Sequence, residues 1–495
     1  MARVPVLESL CIACVLLGPL VFPPQVICVT NFQFALYIDS ANGSDLNDGM
    51  SPSSPWRTLS RLERVQLVPG TAVLLKRGCT WREKLDIAWS GSPGNPILFG
   101  AYGEGERPLL LGSANCNDPS NWTLLDNGLW ATAPDSFPAD VGFILFGGEH
   151  QENVGFKHLD PSQLSSERDF YYDEKNRRVV VRCSENPAKK YGTVEVAYSR
   201  SNADHLIKVR GEHDIIIDGL ELKYFNSHGI QMSGGVSRIV IRNCKIAFGG
   251  GQIQHGSVRY GNGIEFWESA QDCLVEHNVV GQIYDAAVTN QGLSTNQQRN
   301  ITYRCNVLFN SEYLYEYWNR DRTSRTEDTG FFNNTLIGAG FGWSHRQRPD
   351  PSGHGLSFHK NTAQVKNFKV SSNLFVNATE CCVFISNVWT GIEELELSRN
   401  FYCQLPGRNV VTFMGRGYDA SSFEAYKSET GKDIHSKVVD PGKARELEES
   451  IRRHCLSVRQ QQYAVRQSEP PLEGSLDIQG RFGGWMGSKT EPSNS

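Results

Sequence analysis

IVIRNCKI (residues 239–246) is an alternating apolar run broken by an asparagine, and it is one of seven such octets between residues 215 and 402. The others are IIIDGLEL (215–222), LVEHNVVG (274–281), TYRCNVLF (302–309), GFFNNTLI (330–337), KVSSNLFV (369–376) and LELSRNFY (395–402). Their turn positions are Gly219, Asn243, Asn278, Asn306, Asn334, Asn373 and Asn400, separated by 24, 35, 28, 28, 39 and 27 residues. A core of constant length with insertions between copies marks a stacked architecture, in which each copy covers the apolar face of the next.

The period within each octet is two, which indicates strands. In IVIRNCKI we expect Val240 to point inward, Ile241 and Arg242 to lead into the Asn243 corner, and Cys244 and Ile246 to point inward again. Asparagine suits a corner because it tolerates the left-handed region and bonds its own backbone. Stacked coils would align the asparagines into an amide ladder. The pattern resembles the right-handed parallel β-helix of pectin-lyase-like proteins, the fold of many polysaccharide lyases, glycoside hydrolases and epimerases. The fold class expected is therefore all-β. A leucine-rich repeat is the competing architecture, and no leucine consensus of that kind is present.

Five segments follow from this reading. Residues 1–28, with Arg3 and an apolar stretch from Leu10 to Phe22, resemble a secretory signal cleaved near Cys28. Residues 35–112 form an opening module: ALYIDSANGSDLNDGMSPSSPWRTLSRL (35–62), then the strands VLLKRGCTW (73–81) and PILFGAYG (96–103). It resembles the N-terminal cap of secreted β-helices, which covers the apolar end of the first coil. Residues 113–204 break the rhythm with GFILFGG, RRVVVRC and TVEVAY, and we expect an inserted β-rich subdomain. Residues 205–405 carry the coils, and 406–495 read as partly helical and then polar and disordered.

A net charge of −5 over 495 residues gives no support for a nucleic-acid partner. After signal removal no membrane contact is expected, and the protein is expected to be secreted and monomeric. Sequons at Asn42, Asn121, Asn300, Asn333 and Asn377 agree with secretion. The ten cysteines beyond the signal have no regular spacing, so several are expected to be free core residues. We expect no cofactor, with a structural or catalytic Ca2+ as the alternative. Asp45 to Gly49 looks superficially like a calcium loop but lacks EF-hand spacing and a distal glutamate.

Chemistry belongs on outward strand positions and in the insertions after Asn243, Asn306 and Asn334. HGIQMS (228–233), NGIEFW (262–267), YLYEYW (313–318) and HGLSFH (354–359) align so that Gln231, Glu265, Glu316 and Ser357 share one outward column. DAAVTN (285–290) adds Thr289 to that column and Asp285 at its edge. Rungs stack about 4.8 Å apart, so Glu265 and Glu316 stand about 10 Å apart at the backbone, within reach of an inverting glycosidase pair. Solvated surface glutamates are the plainer reading. Trp267 and Trp318 lie two residues further on, placed either to stack on sugar rings or to pack a core.

Two charged loops, NRDRTSR (319–325) and SHRQRPDPSGH (344–354), are expected side by side as a cationic rim. Arg320, Arg322, Arg346 and Arg348 would bind an anionic chain, with His345 as a candidate base; salt bridges to nearby acids are the alternative. His255 and Arg259 on GGGQIQHGSVRYGNG (249–263) could extend the rim. No zinc spacing, phosphate loop or nucleophile elbow is present. The expected activity is cleavage of a polysaccharide, more acidic than neutral, with Glu265, Glu316 and Asp285 as acid and base of a hydrolase. A lyase using Arg346, Arg348 and His345 competes. A glycan-binding or matrix protein without catalysis is the alternative of another class.

Overall fold

The computed structural model describes residues 32–201, 204–444 and 446. The expected signal (1–28) and most of the polar C-terminal stretch lie outside the described residues. Among the described residues no helix is long and apolar enough to cross a membrane.

One coil defines the architecture. Val236–Arg242 lies in a first sheet, Lys245–Gly249 in a second and Ile264–Trp267 in a third; Ala270–Glu276 then pairs in parallel beside Val236–Arg242. Repetition builds three sheets of ten strands, parallel apart from the terminal Arg416–Tyr418, which pairs antiparallel to Asn409–Phe413. The fold is the parallel β-helix. Its core is a continuous apolar column that includes Ile239, Ile241, Cys244, Ile246, Ile264 and Phe266.

The coils extend beyond 205–405 in both directions. Phe34–Ile38, Thr71–Lys76 and Ile97–Tyr102 of the opening module already belong to the first sheet, and Asn409–Phe413 and Lys437–Val438 continue the third and second. The module is thus the first coils of the solenoid, carrying its own turns. In one of these turns the Asp45 carboxylate is engaged by the N–H groups of Arg57 and Thr58 and by the Thr58 hydroxyl.

Of the three inward positions expected in IVIRNCKI, Cys244 and Ile246 lie in the core and Val240 does not. Ile239 and Ile241 point into the core, whereas Val240 joins Ile216, Leu274 and Leu98 in a separate stripe on the outer surface of the first sheet. The amide ladder starts one repeat later than expected. Asn278, Asn306, Asn334, Asn373 and Asn400 stack with Nδ2 donating to the next Oδ1 at 3.0–3.1 Å. Each Nδ2 also donates to a first-sheet carbonyl, as Asn334 does to Tyr303 at 3.1 Å. Pairing of Lys245 with Val279 puts Cys244, and not Asn243, in the ladder column, where its N–H donates to Asn278 Oδ1. The left-handed residue is the one before: Gly219, Asn243, His277, Cys305, Asn333, Ser372 and Arg399 all have φ between 54° and 78°. Asparagine and glycine both tolerate that conformation, so one residue type marks two neighbouring positions.

Residues 113–201 form the inserted subdomain, with a three-stranded sheet (Ser113–Asn115, Ile144–Phe146, Val194–Ala197) and an antiparallel four-stranded one. It has a core of its own, including Trp122, Phe137, Phe146, Phe170 and Val181. Cys79, Cys116, Cys183, Cys244, Cys273, Cys381, Cys382 and Cys403 are free and buried.

The adjacent Asn333 and Asn334 separate the two corner roles. Asn334→Ala should lower the unfolding free energy by about 3 kcal/mol, since it strips bonds from buried N–H groups. Asn333→Gly, at φ 54°, should change it by less than about 0.5 kcal/mol. Urea denaturation measures both; equal losses would show that the ladder carries no special share of stability.

Candidate active site

The outward face of the third sheet carries three columns of side chains, aligned by strand register. The middle column runs Lys208, Gln231, Glu265, Thr289, Glu316, Ser357. Three residues before these stand His205, His228, Asn262, Ala286, Tyr313 and His354, the first three just ahead of their strands, and two residues after them Trp267, Gln291, Trp318 and His359. Glu265 and Glu316 are two rungs apart, with Thr289 between them. They are 2 % and 6 % exposed, so neither is a solvated surface glutamate.

Glu265 is held by its own strand and by the rung before. Asn262 Nδ2 donates to Oε1 at 3.0 Å, and His228 Nε2 is 3.2 Å from Oε2. His228 Nδ1 accepts the Asn262 N–H at 2.9 Å, so the imidazole proton sits on Nε2 and faces the carboxyl. Burial keeps His228 neutral, down at about 3. Burial also pushes Glu265 up to about 8, with the charges of Glu316 and Asp285 adding to the effect against the hydrogen bonds. Glu265 is therefore a carboxylic acid at neutral pH.

Glu316 accepts from Gln291 Nε2 at one oxygen, and its other oxygen is 3.2 Å from His359 Nε2. His359 Nε2 is 3.2 Å from Ser357 Oγ, which is 3.0 Å from His354 Nδ1, and His354 Nε2 lies 3.3 Å from Glu380. Asp285, at the edge of the face, is ion-paired to Arg348 at 2.9 Å. Burial pushes it up to about 6, with Arg348 pulling the other way. His345 Nδ1 lies 3.0 Å from the buried Glu312. Burial alone would raise that carboxyl, but His345 and the Ser352 N–H hold it below its usual range.

The two charged loops do not adjoin. Residues 320–324 link a third-sheet strand to the first sheet, while 340–353 link the second sheet to the third. In a solenoid loops stack only on loops at the same point of the coil, so these two flank the face from opposite edges. Arg320 stacks over Trp318 at 4.7 Å, and Arg322 is exposed beyond it. On the other edge Arg346 donates to the Val154 carbonyl, and the buried Arg259 donates to the carbonyls of Gly142 and Gly251. The contacts to Val154 and Gly142 dock residues 113–201. His255 is exposed on the hairpin Gln252–His255/Val258–Tyr260. Trp267 and Trp318 are half-buried and meet edge to face at 5.8 Å.

Four polar partners of the carboxylates, His228, Asn262, Gln291 and His359, are absent from the sequence reading. The signal for two of them exists. HGIQMS and HGLSFH place histidine three residues before the column, and the offset that finds Trp267 and Trp318 reaches His359 one rung further. Among the described residues no cluster of histidine, cysteine, aspartate and glutamate has the form of a metal site.

No protein-family model matches the chain. A stretch of 82 residues is 39% identical to the uncharacterized protein YwoF of Bacillus subtilis, and 90 residues are 32% identical to a lacto-N-biosidase of Bifidobacterium longum. Each match is 17% of this chain, and the chain spans 16% and 6% of those two proteins. Among solved structures, XylC in complex with xylose superposes with a TM-score of 0.50 at 11% identity, over 76% of this chain and 66% of that one. The neighbours are parallel β-helix proteins, carbohydrate-active hydrolases and lyases among them, and this chain has the fold they share.

Proposed function

We propose that the chain is a glycoside hydrolase acting on an extracellular glycan, with Glu265 as general acid and Glu316 as general base. The observation that carries this is a pair of buried carboxyl groups two rungs apart on one face, neither neutralised by an arginine, with Thr289 and Ala286 as short side chains between them. Glu265 gives its proton to the glycosidic oxygen as the bond to the anomeric carbon breaks. A water molecule bonds to that carbon from the opposite side and loses a proton to Glu316. Two rungs of separation, about 10 Å at the backbone, leave room for that water and favour inversion. Asp285 keeps negative charge near Glu265, which helps to hold its proton. Trp267 and Trp318 would stack on sugar faces. The local similarity to a lacto-N-biosidase supports a glycosidase.

A lyase needs a free cation for a uronate carboxylate. Arg348 is paired with Asp285 and Arg346 with a carbonyl, so elimination is the weaker reading, and the preference for an acidic polymer loses two of its arginines.

A panel of neutral and acidic glycans, read for reducing ends and for unsaturated uronates, tests the assignment. Glu265→Gln and Glu316→Gln should each lower kcat by about 10²–10⁴-fold, with no unsaturated product. Unsaturated product, or full activity in Glu316→Gln, would sink it.

Activity should also fall as pH rises through about 8, where Glu265 loses its proton. In the unfolded chain this group titrates near 4.5, so between the two values the unfolded state binds fewer protons than the folded one. Stability must then decline as pH rises through that window. Glu265→Gln removes the decline and should melt above the parent near pH 8. Parallel Tm–pH curves for the two proteins would contradict a protonated Glu265.

A further inference from the structure

Arg320 and Arg322 stand at the edge of the candidate site and have no part in the roles above. The turn that carries them, 320–324, leaves the third sheet just after Trp318. The next coil lays its own turn against this one. Tyr317 pairs with Phe358, and the Thr362 N–H and hydroxyl donate to the Asn319 and Arg320 carbonyls. Lys360, exposed on that second turn, joins the two exposed arginines. Among the described residues no acid forms an ion pair with any of the three. The acids of this edge have other partners: Asp321 accepts the Thr323 N–H at 2.8 Å, and Glu268 the Ser294 N–H at 3.2 Å.

Arg320 is also held unlike an ordinary surface arginine. Its guanidinium lies over the Trp318 ring at 4.7 Å, and Trp318 in turn meets Trp267 edge to face. A guanidinium laid on an indole keeps its planar fork of N–H groups available for donation.

We propose that Arg320, with Arg322 and Lys360, forms a subsite for an anionic sugar unit, one bearing a carboxylate or a sulfate, beside the sugar cleaved between Glu265 and Glu316. The proposal rests on the hydrolase reading and names its substrate as an anionic glycan. Arg320 follows Glu316 by four residues, about 13 Å along the strand at about 3.3 Å per residue. It therefore reaches past a sugar held at the carboxyl pair. Carboxylate and sulfate each offer two oxygens that the fork can meet with parallel, charge-assisted bonds.

Binding is measured on the full chain carrying Glu265→Gln, so that turnover does not enter. The probes are an oligogalacturonate, a sulfated galactan oligosaccharide and a xylo-oligosaccharide of equal length, with a short single-stranded DNA as an unrelated polyanion. Calorimetry and tryptophan fluorescence follow each titration. At least one anionic oligosaccharide should bind about tenfold more tightly than the neutral one, and the margin should shrink as salt rises. Adding Arg320→Gln should abolish that margin while Tm holds, because the side chain is exposed. Arg320→Lys should not restore it, since an ammonium lacks the fork. A merely structural arginine would leave the margin in place. Equal affinity for neutral and anionic chains, no binding of either anionic chain, an intact margin in Arg320→Gln, or DNA bound as tightly as the better glycan would each overturn the proposal. Arg320-dependent binding, in a parent protein that cleaves no glycan, would leave the subsite standing and remove the hydrolase. Cleavage of neutral glycans alone would do the reverse.

Discussion

Everything functional in this molecule depends on the parallel pairing of successive coils at a spacing of about 4.8 Å. That pairing turns sequence offsets into columns. Once Ile264 pairs with Val288 and Val288 with Tyr315, Glu265, Thr289 and Glu316 must stand in line on the outer face. The asparagine ladder reinforces the register from inside, because Oδ1 of Asn306, Asn334, Asn373 and Asn400 each accepts both the N–H and the Nδ2 of the asparagine in the preceding coil. A slip of one residue would forfeit both bonds and turn the carboxyl groups inward.

The same constraint explains where charge is tolerated. A carboxyl group on a solvated sheet face has an ordinary acidity, whereas Glu265 lies under polar partners that donate to it without neutralising it. Burial is then the dominant influence and favours the protonated form. The inserted subdomain contributes at a distance. Through Arg259, Arg346 and Gln347 it pins the hairpin and the 340–353 loop, and that loop carries Arg348 to Asp285. Residues 113–201 thus help to shape the edge of the candidate site.

Much of this is legible in the sequence. Alternation of period two and recurrent asparagines identify a stack of coils, and the frame NGIEFW against YLYEYW is enough to align Glu265 with Glu316 and Trp267 with Trp318. The errors have a common origin in local symmetry. Three consecutive apolar residues, Ile239 to Ile241, carry no sign of which alternate face is buried, so the sequence does not place Val240 on the outside. Asn243 reads as a ladder residue because asparagine also suits the left-handed position beside the ladder. The arginine loops read as neighbours in the sequence because they belong to adjacent coils, although they occupy different points of the coil.

The sequence by itself determined the repeat, the strand period and hence the column of acids and aromatics, since these follow from spacing along one chain. Tertiary structure alone decided that Glu265 is buried and protonated, that Arg348 is spent on Asp285, and that Arg320 has no acid to pair with. Those properties depend on which atoms of distant coils surround a group, and solvent exclusion and hydrogen-bond satisfaction leave no periodic trace in the sequence.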